Sequence, residues 1–128
     1  MWFSKPSVLI IDDDLSISIL AETRLRKHDD LNVEKANNGS TGLAMALAKK
    51  YDLIILDWIM PNMNGLEVLK HLKTDNRTKN IPVLMLTGKT LVGNIEDACS
   101  GGAEDYLTKP FELDVLSIKV NQLIQTTK

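Results

Sequence analysis

Short apolar runs, each too continuous for a sheet with one wet face, recur along this chain and leave it few folds to choose from. The clearest are "SVLIID" just before Asp13, "DLIILD" ending at Asp57 and "IPVLMLT" ending at Thr87, with "LNVEKA" and "EDYLTK" as weaker versions. Runs of this kind belong to strands covered on both faces. Between them, apolar residues recur at helical spacing: Ile17, Leu20, Ala21 and Leu25; Leu43, Ala44, Leu47 and Ala48; Leu69 with Leu72; Leu91, Ile95, Ala98 and Cys99; and Leu116, Val120, Leu123 and Ile124. Five strands alternating with five helices imply a parallel sheet wrapped on both sides by right-handed crossovers, an α/β doubly wound fold. The punctuation agrees. "NNGS" precedes the second helix, "PNMNG" the third, "SGGAED" ends the fourth, and Pro110 opens the last.

With 128 residues the chain is expected to form one domain, 1–128. The net charge of -2, with no basic run longer than Lys49 and Lys50, gives no electrostatic footprint for direct contact with nucleic acid. The longest aliphatic runs, "VLII" and "LIIL", fall far short of the roughly 20 residues of a membrane span, so no membrane association is expected. Cys99 has no partner for an internal disulfide, and "MWFSKPS" lacks the apolar stretch of a signal peptide. Both point to a cytoplasmic protein.

In a parallel sheet all strands end at one edge, which gathers residues distant in sequence. The first strand delivers Asp12 and Asp13, the third Asp57, the fourth Thr87, and the fifth Lys109 just past its end. Carboxylates about 5 Å apart repel by roughly 3 kcal/mol a pair at an effective dielectric near 20, so such a cluster needs compensation. Asp14 is accounted for as a helix cap. Asp12, Asp13 and Asp57 together suit a small, hard cation, Mg²⁺ or Mn²⁺. An acid at the centre of such a site can attack phosphorus to form an acyl phosphate, and Asp57 is the candidate. Lys109 and Thr87 fit the binding of the phosphoryl oxygens.

The segments "LIIDDD", "DLIILDWIMPNMNG", "VLMLTGK" and "DYLTKPF" resemble the signature segments of the receiver domain of bacterial two-component response regulators, across essentially the whole chain and most closely in its single-domain branch. The resemblance implies a flavodoxin-like sheet in the order 2-1-3-4-5. It implies that Asp57 takes a phosphoryl group from a phosphohistidine on a sensor histidine kinase or histidine phosphotransfer protein. Asp13 would ligate the metal directly with Asp57 and the backbone carbonyl of Ile59, and Asp12 through water. The backbone N–H groups of Trp58 and Gly88 would face the phosphoryl oxygens, and Lys109 would contact them. Thr87 and Tyr106 would form the switch pair, Ile59 and Lys89 would occupy the positions that time dephosphorylation, and the Lys109–Pro110 bond would be cis. The fourth helix, fifth strand and fifth helix would present the result to a downstream effector protein. Two departures are visible: Gly88 where alanine is usual, and Asn64 where aspartate is commoner.

Blander residues complete the reading. His28 and His71 lie among charged neighbours without a metal-ligand partner, and are expected at the surface. Cys99 falls on an apolar stripe and Met60 and Met63 are packing residues. Trp58 is expected partly exposed beside the site, where its fluorescence would report binding. An adaptor with the same fold that no longer uses phosphorylation is an alternative, although all the acids and the lysine are in place. An aspartyl phosphatase would need a general acid and a lid, for which the loops are short. A flavin site would need a hydroxyl- and glycine-rich loop where acids stand. The ending "QLIQTTK" suits a chain end or the start of a linker, so the receiver portion of a longer regulator remains open.

Overall fold

The computed structural model describes residues 5–88 and 101–126. The strands are β1 (Ser7–Ile11), β2 (Asn32–Ala36), β3 (Leu53–Asp57), β4 (Val83–Thr87) and β5 (Asp105–Thr108). The helices are α1 (Leu15–Lys27), α2 (Gly39–Ala48), α3 (Gly65–Thr74) and α4 (Leu113–Thr126). The described residues thus carry four helices where five are expected. The missing one, over the stripe Leu91, Ile95, Ala98 and Cys99, lies outside them, and α4 is the last of the expected five. All strands are parallel, in the order β2-β1-β3-β4-β5. No described helix is long and apolar enough to cross a membrane.

Alternation along the central strands divides the core into two layers. Leu9, Ile11, Ile54, Leu56, Val83 and Met85 pack with Ala46, Val68, Leu69 and Leu72, the inner faces of α2 and α3. Val8, Ile10, Leu53, Ile55, Leu84 and Leu86 pack with Ala21 and Leu25 of α1 and Leu116, Val120, Leu123 and Ile124 of α4. Every residue of β3 and β4 is buried, as their unbroken apolar runs require. Each of the first three helices starts at a side-chain cap: Asp14 accepts from the Ile17 N–H, Asn38 from Thr41 and Asn64 from Glu67.

Two helix faces differ from expectation. In α1, Ala21 and Leu25 are buried as expected, but Leu20 is exposed and Ser18 is buried with them. In α2 the buried residues are Gly39, Gly42 and Ala46, whereas Ala44 and Ala48 are exposed. The cause is closeness. A Cβ on Gly42 would lie 2.6 Å from the Ile11 side chain and one on Gly39 2.8 Å from Val68, so the tightest contacts of α2 go to its glycines, while Leu43 and Met45 pack part-buried at the margin of the core.

The approach of α3 to the end of β3 is tighter still. The Gly65 N–H donates to the Trp58 carbonyl at 2.7 Å, and a Cβ on Gly65 would stand 2.3 Å from the Asp57 carbonyl oxygen and 2.8 Å from the Trp58 Cα. Backbone cannot yield as a flexible side chain does. Gly65→Ala is therefore expected to cost about 3 kcal/mol, seen as a lower urea midpoint. An unchanged midpoint would show that the start of α3 shifts away freely.

Candidate functional site

The register fixes which residues meet. Ile11 pairs with both Ala36 and Leu56, Asp57 with Leu86, and Thr87 with Thr108, so the carboxyl ends of all five strands share one edge. Asp12 continues β1 and donates its N–H to the Ala36 carbonyl, which draws its carboxylate into the interior. Asp57 closes β3 and is buried too. Asp13 is exposed beside them. One carboxylate oxygen from each of Asp12, Asp13 and Asp57 lies within 4.8 Å of the others.

Lys109 enters from the far side of the sheet. Its N–H donates to the Thr87 carbonyl, the Lys109–Pro110 peptide is cis, and its ammonium reaches Asp12 Oδ2 at 2.9 Å and Asp57 Oδ1 at 3.2 Å. The second oxygen of Asp12 accepts from the Asp14 N–H at 2.8 Å. The amine expected at the phosphoryl group is thus already holding the acid pair together. One ammonium against three carboxylates leaves the site acidic. Hard oxygen donors at this spacing, two buried and one open to solvent, fit a small divalent cation.

Burial, followed by the charge of Asp12, pushes the Asp57 carboxyl up to about 7, against the opposing pull of Lys109. Burial by itself would lower the Lys109 amine, but its hydrogen bond to Asp12 and the charges of Asp57 and Asp12 hold it above its ordinary value. Thr87 is 1% exposed, and its Oγ1 has no hydrogen-bond partner among the described residues. A buried hydroxyl left in that condition costs free energy until a partner arrives. Tyr106 stands at the surface, 36% exposed. It pairs with Met85 as Thr108 pairs with Thr87, which puts Tyr106 and Thr87 on the same side of the sheet.

Other expected residues divide. The Ile59 side chain is 66% exposed next to the site. Gly88 is exposed, with nothing among the described residues within 4 Å of where a Cβ would stand. Trp58 departs from expectation: it is 9% exposed and belongs to the core layer with Met60 and Val68. Its N–H donates to the Leu86 carbonyl at 2.9 Å, so in this state the sheet ladder uses the donor expected to face phosphate. His28 and His71 are at the surface. Lys89 and Cys99 lie outside the described residues. Sequence reasoning missed Asp105 and Lys119, whose side chains meet at 3.0 Å between β5 and α4; no local motif links a strand residue to a helical one so far along the chain.

The response regulator receiver domain family matches residues 8–121. The chain is 42% identical over 125 residues to the DNA-binding dual master transcriptional regulator RpaA of Synechocystis, covering 95% of this chain and 50% of that protein. It is 32% identical over 118 residues to the chemotaxis protein CheY of Pseudomonas aeruginosa, covering 92% and 95%. Among solved structures, Vibrio cholerae chemotaxis protein CheY4 superposes with a TM-score of 0.88 at 32% identity over 94% of this chain and 99% of that one. The receiver domain of the Francisella response regulator 1452 gives a TM-score of 0.88 at 36% identity over 96% and 99%. This chain belongs to the receiver domain family of two-component response regulators. It spans half the length of RpaA and nearly all of CheY.

The raised Asp57 carboxyl has a thermodynamic consequence. Its folded value, about 7, lies above that of an unfolded aspartate, so between roughly pH 4 and 7 the folded state binds the extra proton and gains stability as pH falls. Above pH 7 the buried charge is a net cost. Without divalent cations, Asp57→Asn is expected to be more stable than wild type at pH 8 by about 2–4 kcal/mol, the gap closing towards pH 5. Urea unfolding of both proteins across this range checks it. A gap independent of pH would remove Asp57 as the titrating group.

Proposed function

We propose that this domain receives a phosphoryl group on Asp57 and converts it into a change of partner-binding surface. The observation that carries the proposal is the placement of the Asp57 carboxylate, buried among Asp12 and Asp13 with the Lys109 ammonium 3.2 Å away. The donor is a phosphohistidine of a sensor histidine kinase or a histidine phosphotransfer protein. An Asp57 carboxylate oxygen attacks phosphorus, the O–P bond forms as the P–N bond to imidazole breaks, and the departing histidine nitrogen takes its proton from solvent. Asp12, Asp13, Asp57 and the backbone carbonyl of Ile59 are the groups that would hold Mg²⁺, which when bound supplies charge neutralisation for the phosphoryl oxygens.

The remaining side chains act on the transferred group. Lys109, already in contact with Asp57, turns its ammonium to a phosphoryl oxygen. Thr87 gives its unpartnered hydroxyl to another, which removes the cost of a buried donor without an acceptor. The Gly88 N–H supplies a further donor. As Thr87 moves, Tyr106 turns inward from its exposed position, and the surface around β5 and α4 changes for an effector protein. Direct nucleic-acid contact by this domain is not part of the proposal, given its net charge of -2.

Incubation with acetyl phosphate and Mg²⁺ followed by intact-mass measurement tests the reading. One phosphoryl group is expected on wild type, with none on Asp57→Asn or after chelation of the metal. No added mass on wild type would favour the phosphorylation-independent adaptor, and normal uptake by Asp57→Asn would move the acceptor elsewhere. The same measurement after donor removal gives the lifetime. Ile59 offers no hydrogen bond to a hydrolytic water and a lysine at 89 offers no acceptor, so decay is expected to be slow. Ile59→Asn with Lys89→Glu should hasten it about tenfold, and an unchanged lifetime would exclude these side chains from timing.

A further inference from the structure

The outward position of Tyr106 is held by contacts that involve neither Asp57 nor the metal-ligating acids. The Lys119 Nζ lies 5.7 Å from the centre of the Tyr106 ring, within the range of cation–π attraction. The ammonium is fixed in turn by both oxygens of Asp105, at 3.1 and 3.0 Å. Asp105 Oδ1 also accepts the backbone N–H of Tyr106 at 2.8 Å. Strand carboxylate, helix ammonium and strand ring therefore close into one cluster across the junction of β5 and α4. Among the described residues the ring lines an open groove with Pro110, Phe111 and Val115.

The contact is made with the ring in its exposed position. Tyr106 and Thr87 share one side of the sheet, whereas Lys119 belongs to α4, whose buried residues pack against the other side with Leu107. An ammonium anchored there meets the ring only while the ring stays at the sheet edge. A ring turned in towards Thr87 leaves it. We propose that Lys119, held by Asp105, is a positioning residue for Tyr106 that biases the free domain towards the outward state and so raises the threshold for switching. This rests on the reading of Thr87 and Tyr106 as a coupled pair. A cation–π contact at a partly exposed site corresponds to about a two- to five-fold change in a population ratio. Where the inward form is the minor one, its gain appears as an equal gain in affinity for whatever selects it.

The test labels the protein with 3-fluorotyrosine, assigns the two signals with Tyr51→Phe, and follows Tyr106 by fluorine NMR with and without Mg²⁺ and beryllofluoride. Lys119→Met keeps the aliphatic stem and removes the charge. In the free protein it is expected to shift Tyr106 two- to five-fold towards the beryllofluoride-bound position and to tighten beryllofluoride binding by a similar factor. Lys119→Arg, which retains a cation, should behave as wild type, and Asp105→Asn should shift in the same direction as Lys119→Met. If Tyr106 responds to beryllofluoride in wild type but its free-state position and the affinity are unaltered in Lys119→Met, the role of Lys119 is excluded while the switch reading stands. If Tyr106 does not respond in wild type at all, the switch reading fails and this inference with it.

Discussion

Two carboxylates, Asp12 and Asp57, are carried into the interior at the ends of adjacent strands, and the upper edge of the sheet is arranged around their charge. At separations under 5 Å each carboxylate pair in the cluster repels by roughly 3–4 kcal/mol at an effective dielectric near 20, while an ammonium at 3 Å attracts each by about 5. Lys109 therefore reconciles the pair without neutralising the cluster. What remains is a site with excess negative charge, one carboxyl raised towards neutrality, and an unpartnered threonine hydroxyl beside it. A hard cation and a phosphoryl group would relieve each of these, which is the physical basis of the function proposed for the site.

Such a site survives only on a rigid support. Complete burial of β3 and β4 gives Asp57 and Thr87 backbones that cannot retreat from the charge. Gly65 allows α3 to begin directly against the carbonyl of Asp57, and Gly42 lets α2 lie close on β1 beneath Asp12. A clasp at the opposite end of the molecule serves the same purpose. Lys73 of α3 donates to the Ile81 carbonyl and to Glu104, which accepts from the Val83 N–H, so α3, the start of β4 and the approach to β5 are tied together. Tyr106, the residue proposed to move, stands exposed on the edge strand β5.

Much of this was legible in the amino-acid sequence because strands buried on both faces have no polar residues to blur them. Once the strands are parallel, the convergence of Asp12, Asp13, Asp57, Thr87 and Lys109 needs no further information. Helix faces were harder. In α2 the buried residues are small ones, Gly42 against Ile11 of β1 and Gly39 against Met63 and Val68, and the larger Leu43 and Leu47 mask them in the amino-acid sequence. Its position directly after Asp57 makes Trp58 read as partly exposed, yet consecutive residues leave a strand in opposite directions, and the ring goes into the α2–α3 layer. The bridge from Lys109 to Asp12 was missed because a long side chain reaches a partner that spacing does not specify, and the same holds for Lys119 and Tyr106.

If the strand-end acids form one electrostatic unit that a divalent cation would balance, the Asp57 carboxyl must report both the burial and the cation. The most direct measurement is the titration of the Asp57 side-chain carboxyl by carbon NMR, in chelator and in saturating Mg²⁺. In chelator it should titrate near pH 7, as burial and Asp12 require. With Mg²⁺ it should fall well below that, since the cation favours the charged form. A carboxyl that titrates at an ordinary aspartate value and is indifferent to Mg²⁺ would contradict the account.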